Sequence, residues 1–143
     1  MNKLNKILIA VDNDPISEKI ASMGLQLGKQ LKAEIALLSV VDTAFLMTDG
    51  NVTPAEMAEL LKSDGRKAQQ MLIDKVFKVY KIWTFIEEGK PFEVILKVAE
   101  EWEADLIVLG THGRTGLTHL LMGSVAEKVV RHSTKPLFII PAK

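Results

Sequence analysis

Asp105 to Ser124 reads DLIVLGTHGRTGLTHLLMGS, and this stretch decides the fold. Leu106 to Leu109 is an unbroken branched and aliphatic run after a charge, the pattern of a strand buried on both faces of a parallel sheet. Gly110 ends it, and a loop carrying Gly113 and Gly116 follows. Beyond Gly123, the polar Ser124 precedes Val125, Ala126, Val129 and Val130, which share one helical face. Ser124 is a candidate N-cap, and Glu127 three residues on would complete a capping box. The order strand, glycine loop, glycine, helix places backbone N–H groups and the positive end of a helix outside the carboxyl edge of a parallel sheet, where an anion can be held. Neither the dinucleotide fingerprint nor the P-loop is present.

Outward from this stretch, further apolar runs alternate with helical periodicity. Ile7 to Val11, Ala33 to Val41, Trp83 to Ile86 and Leu137 to Ile140 read as strands one, two, three and five. Between the first two, Ile20, Ala21, Gly24, Leu25, Leu27, Gly28 and Leu31 form a helical stripe whose small residues permit close approach to a sheet. Ser17 is a candidate cap for it. Thr84 makes strand three less apolar than the rest, which suits an edge. Residues 42–64 are the least readable part. Thr53-Pro54 can open a helical piece there, with Met57, Leu60 and Leu61 on one face, and a helix from about Gly65 to Tyr80 then presents Ala68, Leu72, Val76, Val79 and Tyr80. Strands one and four are the most central, and right-handed crossovers favour the order 3-2-1-4-5. The expected fold is therefore α/β, an open three-layer sandwich with a five-stranded parallel sheet, forming a single domain over residues 1–143. Its topological switch point lies between strands one and four, at Asp12 and Gly110.

Composition narrows the function. Lys plus Arg and Asp plus Glu are 18 each, so charge makes no overall case for nucleic acid or membrane. The apolar run near the start is too short for a signal-peptide core or a membrane span. The absence of cysteine excludes disulfides and thiolate chemistry, and is compatible with a reducing cytoplasm.

Asp12 is the leading acidic candidate, either for ribose hydroxyls or a hydrated divalent cation, or as a cap of its own turn. Asp14 carries a weaker functional case. Val40 or Val41 can offer backbone to a base edge, although core packing accounts for both equally. The histidines have no zinc spacing. His112 lies in the glycine loop, facing phosphate or solvent, while His132 suits a helix C-terminus. No base and orienting acid accompany Ser124, so no catalytic residue is assigned.

The opening KILIAVD, the second-strand ending LLSVVD and the segment ADLIVLGTHGRTGLTHLLMGSVAEKVVRHSTKP resemble the universal stress protein family over essentially the whole chain. Gly110, Gly113, Gly123 and Ser124 match the spacing Gly, two residues, Gly, nine residues, Gly, Ser or Thr of its ATP-binding branch. The resemblance implies a Rossmann-like fold that binds ATP with Mg2+ or Mn2+. It puts Asp12 at the ribose or metal side, Val40 at adenine, and the glycines and Ser124 at ribose and phosphate, with His112, Met122 and Val125 adjoining. Ala10 departs from the pattern, because family members often have proline there. The family further implies a homodimer, for which the C-terminal strand is the expected edge, and a cytoplasmic stress sensor or regulator with an unidentified regulatory protein as possible partner. A slow ATPase, an AMP-binding protein and a nucleotide-independent dimeric interaction module remain alternatives.

Overall fold

The computed structural model describes residues 3–46, 50–111 and 122–142, without the Phe45 side chain. Among them are five strands, β1 (Lys6–Ala10), β2 (Glu34–Asp42), β3 (Ile82–Gly89), β4 (Leu106–Gly110) and β5 (Leu137–Ile140), with helices α1 (Ile16–Leu31), α2 (Pro54–Leu72), α3 (Pro91–Glu101) and α4 (Ser124–His132). The sheet order is β3-β2-β1-β4-β5 and every pairing is parallel, as the sequence predicts.

Alternation along the strands sends side chains to two separate cores. Ile7, Ile9, Ile35, Leu37 and Val108 pack with Ile20, Ala21 and Leu25 of α1 and with Leu72 and Phe77 beside it. Leu8, Ala36, Leu38, Ile107 and Leu109 pack on the other face with Ile95, Val98 and Ala99 of α3 and Ala126 and Val129 of α4. Strands buried on both faces lack the apolar–polar alternation of a half-exposed sheet, which is why β1, β2 and β4 read as solid apolar runs.

The small residues of α1 have the steric purpose expected of them. A Cβ on Gly24 would lie 2.4 Å from Ile9 Cδ1, and one on Gly28 would lie 2.5 Å from Ile35 Cδ1. The helix therefore rests directly on two isoleucines of adjacent strands.

Several local expectations are corrected. The two helical pieces expected between residues 53 and 80 are one helix, α2, opened by a full Thr53–Glu56 capping box. Gly65 does not break it, because tertiary packing and good helix formers on both sides outweigh one poor residue. The helix ends in a π turn, Ile73–Phe77, so Val79 lies beyond it and is fully exposed instead of joining the buried stripe. Tyr80 still anchors this corner, its hydroxyl donating to the Ala33 carbonyl at 2.7 Å. Helix α1 has no side-chain cap, and Ser17 is buried within its first turn. At α4 the expected capping box is absent. Gly123 occupies the N-cap, Ser124 is the first helical residue, and Glu127 pairs instead with Arg131 at 2.7 Å.

Candidate functional site

The carboxyl ends of β1, β2 and β4 open into a cavity of about 410 Å³. Asp12, Val40, Gly110, Gly123, Ser124 and Val125 all line it, so six of the nine expected site residues meet at one place. Met122 does not; it packs against the core under α3 and α4. His112 and Gly113 lie outside the described residues, as do Arg114, Gly116 and His119. His132 does not line the cavity, and its ring lies 5.8 Å from that of Phe92.

The ends of the glycine-bearing loop are clasped together. Gly123 N–H donates to the Thr111 carbonyl at 2.7 Å, and Thr111 N–H donates to the Ile140 carbonyl at 3.0 Å. The start of α4 is thereby held beside the end of β4. With a glycine at the N-cap, backbone N–H groups of the first turn have no intrahelical acceptor and add to the positive potential at the helix end. The Gly123 carbonyl accepts from Glu127 N–H at 3.0 Å, closing the first turn.

On the opposite side, the β1–α1 turn folds around Ser17. The Ser17 hydroxyl donates to the Asp12 carbonyl, accepts from Asp12 N–H at 3.2 Å, and lies 3.2 Å from Asp14 Oδ1. Asp12 Oδ1 accepts from Asn13 N–H at 2.8 Å, so this carboxylate supports its own turn while it lines the cavity. Asp14 lines the cavity too, and its buried Oδ2 has no hydrogen-bond partner among the described residues. Burial pushes the Asp14 carboxyl above its ordinary pKa, the Ser17 hydroxyl opposes this, and the negative charge of Asp12 adds to it.

Sequence reasoning missed the wall made by α2. Leu61, Asp64, Gly65 and Ala68 line the cavity from that helix, and Ile86 lines it from β3. The helix is tied to the sheet by Gln69, whose amide donates to Ser39 Oγ at 3.1 Å and to the Phe85 carbonyl at 3.0 Å. The sequence assigns Leu61 and Ala68 to two separate helical pieces, and no local signal says that their shared face overhangs the strand ends.

Among the described residues, no three His, Asp or Glu side chains converge on a possible metal position. The acidic residues that line the cavity are Asp12, Asp14, Asp42 and Asp64.

A doubly wound parallel sheet with a cavity at its switch point, flanked by a helix N-terminus on one side and an acidic turn on the other, defines a Rossmann-like α/β protein. The universal stress protein family model matches residues 3–141, and the chain belongs to that family. It is 34% identical to universal stress protein MJ0531 of Methanocaldococcus jannaschii, covering 97% of this chain and 83% of that one. It is 33% identical to MJ0577 of the same organism, covering 96% and 95%. The solved structure of MJ0577 superposes with a TM-score of 0.84 at 28% identity over 99% of both chains. Among the described residues, no helix is long and apolar enough to cross a membrane.

Proposed function

We propose that the chain is a cytoplasmic ATP-binding regulator that acts in stress responses by holding nucleotide, with little or no turnover. The observation that carries this reading is the clasped loop at the switch point, which sets Gly110, Gly123, Ser124 and the start of α4 across one cavity from Asp12. In this arrangement adenine lies at the Val40 backbone, ribose between Asp12 and Gly110, and the phosphates on the segment from Gly113 to Ser124. Bare glycine backbone and first-turn N–H groups that lack an intrahelical acceptor supply donors to the phosphate oxygens. Mg2+ or Mn2+ would neutralise phosphate charge near the acidic turn, with Asp12 as the side-chain ligand. No P-loop lysine precedes α4, and no general base is assigned there, which favours binding over fast hydrolysis.

The test is calorimetric titration of nucleotide-free protein with ATP, ADP and AMP, each with and without Mg2+. Gly123→Val, which sets a β-branched side chain against the ligand, is expected to abolish ATP binding in a folded protein. Ser124 makes no side-chain cap hydrogen bond, so Ser124→Ala is expected to change stability by less than about 0.5 kcal/mol and to report mainly on phosphate contact. Undiminished ATP affinity in folded Gly123→Val would remove the phosphate assignment. Multiple turnovers per second by wild type, lost in Asp12→Ala, would replace the regulator with an ATPase.

A further inference from the structure

Gly65 stands inside the 19-residue helix α2, where glycine is the poorest helix former after proline. The protein's own packing gives no reason for it. A Cβ at Gly65 would meet Ile86 Cδ1 at 3.6 Å and Ser39 Cβ at 4.0 Å, ordinary contact distances, and its backbone is not in the positive-φ region. Gly24 and Gly28 differ, because a Cβ there would collide with the sheet. Gly65 itself lines the cavity, and so do both residues that its Cβ would meet. Nor is the helix free to retreat. Gln69, one turn on and 3% exposed, ties it to Ser39 and the Phe85 carbonyl, while Lys62 pairs with Glu88 at 3.5 Å. The missing side chain leaves bare backbone in a fixed wall of the cavity.

We propose that Gly65 is a specificity-determining residue of the nucleotide site, its bare backbone forming, with Leu61 and Ala68 on the same helix face, the surface on which the flat purine ring packs. The inference rests on the nucleotide reading above and adds a second wall to the base site, whose edge is at Val40. A ring lying on glycine backbone gains apolar contact over its whole face, and a side chain at that position takes the same volume.

The experiment uses Gly65→Ala and Gly65→Leu, each titrated with ATP and with inorganic triphosphate and each followed through thermal unfolding. Alanine and leucine are better helix formers than glycine, so the melting temperature of Gly65→Ala is expected to equal or exceed that of wild type. ATP binding moves the other way, weakening modestly in Gly65→Ala and on the order of tenfold or more in Gly65→Leu, as for groups excluded from a shaped apolar pocket. Affinity for triphosphate stays unchanged in both. A folded Gly65→Leu that binds ATP as tightly as wild type overturns the proposal. So does a parallel loss of stability, ATP binding and triphosphate binding in Gly65→Ala, which marks a purely structural residue. Wild type that binds triphosphate as tightly as ATP also overturns it, while leaving a phosphate site in place. Failure of wild type to bind either ligand removes the nucleotide reading itself.

Discussion

Asp14 shows how much one side chain's meaning depends on its surroundings. In sequence it is one of several polar residues in a turn, with a weaker functional case than Asp12. In the fold it lines a cavity, has a buried oxygen without a partner among the described residues, and lies near a second carboxylate. Its pKa is raised in the folded state, mainly by burial, so the unfolded chain ionises more readily. The stability contributed by the protonated form is complete below the unfolded pKa and is lost as pH rises through the folded one. Asp14→Asn is therefore expected to be more stable than wild type at neutral pH and to lose that advantage in acid. Urea unfolding at pH 7 and at pH 4 checks this, and an equal difference at both would exclude it. Gly24 is the opposite case, legible from sequence because a helix lying flat on a sheet needs small residues at the contact. Gly24→Ala drives a methyl into Ile9, and a cost of about 1–3 kcal/mol in urea unfolding is expected despite the gain in helix propensity.

At the scale of elements, legibility followed periodicity. The central strands announced themselves because burial on both faces leaves no polar position to confuse the reading. The Gly110 and Gly123 ends of the site were equally clear, since glycines at a strand end and before a helix serve local geometry that spacing records. Helix α2 was fragmented in sequence by Gly65 and by mixed polarity, and its role as a cavity wall depends on long-range contacts through Gln69 that no window of sequence contains. The α4 cap was misplaced by one residue because Ser124 is the better capping side chain, whereas the clasp to Thr111 fixes Gly123 at that position. The capping box at Thr53 gives α2 its own test. Thr53→Ala is expected to cost about 1 kcal/mol. Its N–H donation to Glu56 persists, so hydrogen exchange should quicken chiefly in the first turn of α2, while β1 and β4 remain protected. Uniform acceleration across the sheet would contradict a local cap.

For the whole molecule, the exposed edge at β5 is the proposed dimer surface. Ile140 is 1% exposed and Phe138 packs on the α1-side core, so charges at those positions would damage the protomer before they informed on association. Pro136 and Ile140 direct their carbonyls to β4, accepting from Ile107 and Thr111, and parallel alternation then turns the Leu137 and Ile139 backbone outward. Ile139→Pro removes an outward N–H at an edge that tolerates proline. Sedimentation should show dimers for wild type and protomers for this variant at the same concentration. A wild-type protomer mass would end the proposal.

The division of the interior by the sheet also governs how damage accumulates. Leu25 and Val129 lie in different cores, one on each face, and their side chains share no cluster. Leu25→Ala and Val129→Ala should therefore combine to within about 0.5 kcal/mol of the sum of their separate costs. Leu8 and Val129, which belong to the same core, should depart from that sum. In evolutionary terms, the molecule carries two independently mutable interiors on one backbone, so sequence drift under α1 need not be answered by compensation under α4.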